Sequence, residues 1–317
     1  MKVVFFGSGA FGVPTLRMLV KRHEVAAVVT QPDRPAGRGK SLSPTPIATE
    51  AESLMPGVEV LKPENVNTPE VRDHIRGLEA DAWVVIAFGQ KLGQKLLADK
   101  FAINLHASLL PRWRGAAPIN AAILAGDQTT GVSVITLADE MDAGFVLGQA
   151  ARPLDPNLTI GELHDVLARD GVEVVAGVLE RHATGSLEPI EQDKGRVTLA
   201  PKLSKADGWI DFTDTAHACR NRVHGLTPWP GVSINLAGVT LKLLRVSAEE
   251  RGHDGAPGTL LDPAGLLACG QGTALRLVTV QPAGKKPMDF SAFANGRSLT
   301  VGEVATPERQ PCARSGT

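Results

Sequence analysis

The chain opens on an unbroken apolar run, Val3-Val4-Phe5-Phe6, and then alternates between two periodicities. "KVVFF" and "HEVAAVVT" are continuous, β-branched runs that predict strands buried on both faces, and "FGVPTLRMLVKR" between them has helical spacing. A loop rich in Pro, Gly and basic residues follows, "QPDRPAGRGKSLSP". The pattern then predicts a helix from about Thr45, a short strand near 58–61 and a helix near 69–77. "DAWVVIAFG" and "FAINLHAS" predict two more strands, and "RWRGAAP" leads into a helix. "TGVSVITL" and "GFVLGQAARPL", joined around 142–144, predict an appended hairpin, and "IGELHDVLARDGVEVVAGVLERHA" predicts a long helix. Strands alternating with helices give an α/β fold with a mostly parallel, Rossmann-like sheet over residues 1–184.

The pattern changes after that. Residues 185–203, "GSLEPIEQDKGRVTLAPKL", predict a linker with some extended character. Beyond them "GVSINLAG", "VTLKLLRVS", "PGTLLD", "GLLACG" and "ALRLVTVQPAG" are short strands punctuated by Gly and Pro, which predict a small β-barrel over 204–305. Residues 306–317 offer little to bury and are expected to be a disordered tail.

Composition narrows the class. At 317 residues with 43% apolar and 21% charged content, the chain reads as a two-domain globular protein. No apolar run approaches the roughly 20 residues of a membrane span. The first strand begins almost at Met1, so no signal peptide is expected. The three cysteines, Cys219, Cys269 and Cys312, are too few and too scattered for a zinc site or a disulfide framework, so a cytoplasmic location and no metal are expected. The net charge of −1 argues against a general nucleic-acid binder, but from Lys202 onward 13 Lys and Arg stand against 10 Asp and Glu.

Two motifs compete for the chemistry. Gly7-Ser8-Gly9-Ala10-Phe11-Gly12 fits the G-x-G-x-x-G turn of dinucleotide enzymes. That motif also needs an acidic residue at the end of the second strand, where this chain has Thr30 and Gln31; Asp33 lies out in the loop beside Arg34. NAD is therefore not expected, and a dehydrogenase is disfavoured. The second motif is "AINLHASLLPRWRGAAPINAAILAGD". Asn104 and His106 are two apart on a strand and share a face. With Asp142 from "ADEMDAG", they supply an amide donor, an imidazole and a carboxylate that could neutralise an oxyanion and move protons.

"NLHASLLPRWRGAAP" with the downstream "DEMDAG" resembles the folate-dependent formyltransferases. "TQPDRPAGRGK", "KLSK", "PWPG" and "QPAGKKPM" extend the resemblance along the chain, and are similar to the branch of that family that acts on initiator methionyl-tRNA. The resemblance implies a Rossmann-like formyltransferase domain with a C-terminal OB-fold-like barrel, 10-formyltetrahydrofolate as formyl donor, and Asn104, His106 and Asp142 as catalytic residues. By the same token the methionine amine attacks the formyl carbon, and Asn104 and protonated His106 donate to the resulting oxyanion. It implies a folate site at Phe88, Gly89, Leu92, Ser108, Leu109, Leu110, Pro111, Asp139 and Glu140, with Phe88 and Leu92 as apolar walls. It implies tRNA contacts from the basic loop (Arg34, Arg38, Lys40) and from Lys202, Lys205, Arg220, Arg222, Lys285 and Lys286. A monomer is expected. Formyl transfer to a nucleotide-linked amino sugar, hydrolysis of the formyl donor, and RNA binding without catalysis stand as alternatives.

Overall fold

The β-branched runs at the start of the chain have no polar face, so they can only form the interior of a sheet covered on both sides. The computed structural model describes residues 1–36, 41–297 and 299–309. Its first sheet has the strand order Val146–Pro153, Thr129–Thr136, Ala102–His106, Ala82–Ile86, Lys2–Gly7, Glu24–Val29, Glu59–Leu61. The pairs from Glu59–Leu61 as far as Ala102–His106 are parallel. Thr129–Thr136 then pairs antiparallel with Ala102–His106, placing Ile103 opposite Thr136 and His106 opposite Ser133. The sheet is α/β and mostly parallel, as its pattern predicted. Helices Val13–Arg22 and Pro46–Leu54 begin with Pro in the first turn, where no N–H is needed. Thr45 caps the second of these through a hydroxyl that accepts from Ala48 N at 3.0 Å. One core cluster of this sheet gathers Phe6, Trp83, Phe88, Leu92 and Leu96.

The chain forms two compact units. The first comprises Met1–Arg114, Gly131–Arg152 and His164–Leu199; the second comprises Gly115–Thr130, Pro153–Leu163 and the described residues from Ala200 onward. Residues 185–203, expected as a linker with some extended character, are in part hydrogen-bonded within the first unit. Ile190 and Val146 exchange backbone hydrogen bonds of 2.8 and 2.9 Å, and the Trp113 N–H donates to the Thr198 hydroxyl at 2.9 Å.

The Gly-rich turn is explained by packing. A Cβ on Gly7 would run into the Phe5 ring, and one on Gly12 would press on Phe5 at 3.0 Å and on Ile47 at 3.3 Å; one on Gly9 would make only an ordinary contact with Ala87 at 3.6 Å. The Ser8 hydroxyl donates to Phe88 O at 3.0 Å and accepts from Gln31 N at 3.1 Å, tying the turn to its neighbours.

In the second unit the strand order is Leu260–Asp262, Leu266–Ala268, Ala274–Pro282, Val239–Glu249, Val232–Leu236, Thr306–Pro307, with Met288–Asp289 also on Ala274–Pro282. Neighbouring strands of this sheet pair antiparallel, and register shifts near Arg245 bend the longest strand. The expected tail begins too early at 306. Asn235 pairs with Thr306 and Ile234 with Pro307, while Leu260 N donates to Glu303 O at 2.7 Å. The stretch 303–307 thus joins both edges of the sheet and closes the OB-fold-like barrel, because an open edge would leave two rows of unpaired backbone groups. The rest of that call, residues 310–317 with Cys312, lies outside the described residues.

Helix Ala216–Leu226 was not anticipated. Ala216, Cys219, Val223 and Leu226 give it a buried face, but Arg, Asn and His residues between them blur the period. Its His224 is fully buried. The Val246 N–H donates to Nε2 at 3.2 Å, so Nδ1 carries the ring hydrogen and donates to Pro156 O at 3.1 Å. Burial holds the His224 pKa below the ordinary 6.5, Arg245 and Arg220 act in the same sense, and the Pro156 carbonyl and Glu162 oppose them. As pH falls, the unfolded chain therefore binds a proton at His224 before the folded one does. Its contribution to stability is complete above about pH 6.5 and is lost below that. We expect the melting temperature of the wild type to fall between pH 7 and pH 5, and that of His224→Gln to fall less. Parallel slopes in the two melting series would contradict this.

Candidate active site

Alternation along Ala102–His106 puts Asn104 and His106 on one face of the last parallel strand. Asn104 sits between Val85 and Ile135 and is half-buried; among the described residues its carboxamide makes no intramolecular hydrogen bond. His106 is 6% exposed. Its Nε2 lies 2.9 Å from Trp113 O, and a carbonyl can only accept, so Nε2 carries the hydrogen and donates. Nδ1 lies 3.6 Å from the Asp142 carboxylate. The three residues expected to be catalytic thus meet. With Nε2 committed to Trp113 O, Nδ1, on the side of Asp142, is the ring nitrogen not held by the backbone.

Two loops hold this arrangement. Residues 107–114 form a turn with a cis Leu110–Pro111 bond. Buried Ser133 organises it: its hydroxyl donates to Ser108 O at 2.6 Å and accepts from Leu110 N and Gln149 Nε2 at 3.0 and 2.8 Å. The Ser108 hydroxyl closes the turn on Arg112 O at 2.6 Å. Trp113 has φ +63°, a left-handed conformation that costs a bulky residue of order 1–3 kcal/mol. The bond from its N–H to Thr198, and that from Arg114 N to Thr198 O at 2.9 Å, hold it there.

The second loop spans 137–144. Asp142 also has a left-handed φ of +55°. The Lys91 ammonium donates to Asp139 O at 3.0 Å, and the Gln94 amide donates to the Asp139 carboxylate at 2.8 Å. Arg114, 6% exposed, reaches Glu140 at 3.1 Å and Gln192 Oε1 at 3.0 Å. Gln192 in turn donates to Asp142 O and Gly144 O at 2.7 and 2.8 Å. A cleft of about 530 Å³ beside this loop is lined by Arg114, Glu140, Ala143, Phe145, Gln192 and Lys194 among others.

Of the residues assigned to folate, the structure brings 88–94 and 139–140 together through Lys91 and Gln94. Phe88 and Leu92 are 2% and 5% exposed and pack in the same core cluster as Phe6 and Trp83. Gly89 is exposed at φ +87° and offers backbone. Ser108 is buried in the turn, whereas Leu109, Leu110 and Pro111 line a second cleft of about 630 Å³. Of the basic residues, Arg34, Lys202, Lys205, Lys285 and Lys286 are exposed. Arg220 is half-buried, and Arg222 lies on the Trp209 ring and donates to Trp209 O and Asp207 O. Arg38 and Lys40 lie outside the described residues. Among the described residues no cluster of His, Cys, Asp and Glu could hold a metal ion, and no helix is long and apolar enough to cross a membrane.

A family model described as Formyl transferase matches residues 1–179, and the model of the formyl transferase C-terminal domain matches 202–298. The chain belongs to the formyltransferase family. Family members at 42% identity include a methionyl-tRNA formyltransferase of Acidiphilium cryptum, over 95% of this chain and 99% of the relative. Another is that of Cereibacter sphaeroides, over 96% and 99%. Among solved structures, WlaRD, a sugar 3N-formyl transferase determined with dTDP and 5-N-formyl-THF, superposes with TM-score 0.67 at 14% identity, covering 90% of this chain and 99% of that one. HypX of Aquifex aeolicus, in complex with tetrahydrofolic acid, gives TM-score 0.62 at 18% identity over 92% of this chain, which spans only 46% of HypX. These two likenesses concern the fold.

Arg114 and Gln192 were not singled out from the sequence. Arg114 stands inside "RWRGAAP", where a charge that becomes buried looks the same as a solvated one, and Gln192 stands in the presumed linker. Gly144 is fixed by space alone: a Cβ there would collide with Thr136 O. Gly144→Ala is expected to destabilise the first unit by about 1–3 kcal/mol, as overpacking does, and to displace Asp142. Thermal melts with wild-type stability would rule out this constraint.

Proposed function

We propose that this protein transfers the formyl group of 10-formyltetrahydrofolate to the α-amine of methionine carried by initiator methionyl-tRNA, for the start of translation. The observation that carries this reading is the likeness to methionyl-tRNA formyltransferases along nearly the whole chain, both domains included. The donor supplies an activated formyl group. The protein's residues then have to orient the amine, stabilise charge and move a proton. Asn104, its amide uncommitted, donates to the formyl oxygen as negative charge gathers there; such a donor is worth about 2.7–4 kcal/mol. His106 takes the proton of the attacking amine at Nδ1, and the Asp142 carboxylate stabilises the cation so formed. Once charged, Nδ1–H can also donate toward the oxyanion.

Exposed backbone at Gly89, Asp139 and Glu140, with Leu109 and Pro111 beside it, suits the polar edge and flat face of a pterin. The exposed basic side chains Arg34, Lys202, Lys205, Lys285 and Lys286, with Arg38, Lys40 and Arg220, are assigned to tRNA phosphates. Such contacts make binding fall steeply with salt. A monomer working in the cytoplasm fits these substrates.

The test is an assay of the purified protein with 10-formyltetrahydrofolate and methionyl initiator tRNA. Formylmethionyl-tRNA is the expected product; formylation of a nucleotide-linked amino sugar instead would overturn the acceptor. Asn104→Ala is expected to lower kcat by about 10²- to 10³-fold with tRNA affinity in filter binding unchanged. Matching losses of rate and affinity would refute that division of labour.

A further inference from the structure

We propose that Gln192 is a positioning residue that sets the catalytic carboxylate of Asp142. This inference rests on the formyl-transfer reading above. Register creates the need. Thr136 lies opposite Ile103 while His106 lies opposite Ser133, so the loop leaving Thr136 must fold back along roughly 10 Å of strand to bring Asp142 to His106. Asp142 then sits at φ +55°, a conformation that a loop left to itself does not favour.

Gln192 supplies the fastening. It is 5% exposed, and its amide donates to Asp142 O at 2.7 Å and Gly144 O at 2.8 Å. Both amide hydrogens are used, on the carbonyls either side of Ala143. Its own oxygen accepts from Arg114 Nε at 3.0 Å, which fixes which way the amide faces. Buried Arg114 extends the chain to Glu140 on the same loop. Gln192 is held in turn by Ile190, paired with Val146, and by the Asp193-capped turn Lys194–Arg196. It lies between the two stretches matched by the family models, 1–179 and 202–298. The stretch that joins the two domains thereby carries a part of the active site.

Gln192→Ala and Gln192→Glu test this in the full-length protein. The Glu variant keeps the acceptor for Arg114 and removes the two donated hydrogens. Both are expected to lower kcat by about 10- to 100-fold, the scale of a misplaced catalytic group, with KM for methionyl-tRNA changed less than about threefold. In an Asp142→Ala background, Gln192→Ala should add less than a twofold loss, because the contact acts through Asp142. Hydrogen exchange of peptides covering 138–145 should quicken in Gln192→Ala without substrate, while that of 102–106 stays unchanged. Losses that multiply in the double variant, wild-type kcat in Gln192→Glu, or unaltered exchange at 138–145 would each overturn the proposal. Quickened exchange in a protein that does not formylate methionyl-tRNA would instead sink the functional reading and leave the positioning contact standing.

Discussion

The candidate active site depends on one strand having unlike neighbours. Ala102–His106 is parallel to Ala82–Ile86 on one side and antiparallel to Thr129–Thr136 on the other. The parallel side gives Asn104 and His106 the position at which α/β sheets generally meet their ligands. The antiparallel side sends the following loop away from His106, so the carboxylate must be brought back. The fixed points of that loop follow from this: Gly144 pressed against Thr136, Phe145 N bonded to the Thr136 hydroxyl at 2.9 Å, and Asp139 held by Lys91 and Gln94. A loop anchored at several points loses little further entropy when a reactant arrives, which is how a site becomes organised before binding.

The second loop solves a different problem. His106 needs one nitrogen fixed so that the other is predictable, and the protein does this with a backbone carbonyl. Trp113 O can only accept, so it selects the tautomer without introducing another titrating group. Its cost is a tryptophan in the left-handed region, sustained by Thr198. Three chain segments far apart in sequence therefore converge on one imidazole.

The strands and the mostly parallel sheet were legible because continuous apolar strands and amphipathic helices write their burial into the residue pattern, whereas the order of the strands was not read. Asn104 and His106 were legible for a related reason: alternate strand positions share a face whatever the tertiary context. What escaped was everything that works by single polar contacts. "PIEQDKGRVT" has no periodicity, and nothing local separates Gln192 or Thr198 from solvated linker residues. Phe88 shows how little burial can be read from one residue: an aromatic side chain after a strand can face a cleft or the core, and here its ring lies 5.6 Å from that of Phe6. In the second unit, Cys219 and Cys269 turned out to be neighbours rather than scattered thiols. The Cys219 thiol donates to Asp211 O at 3.2 Å, and the neighbouring Cys269 thiol together with burial pushes it above its ordinary value.

The barrel's closing stretch carries a consequence for how the molecule is made. Domains tend to fold as units while synthesis proceeds from the N-terminus. The first unit draws on no residue beyond Leu199, so all its parts have left the ribosome well before the last strand of the second is translated. The barrel has no such freedom. Its edges Leu260–Asp262 and Val232–Leu236 stay open until residues 303–307 emerge to bridge them. Until then the nascent chain displays two unpaired strand edges, and a ribosome stalled before residue 303 would leave the barrel unfinished and open to association with other chains.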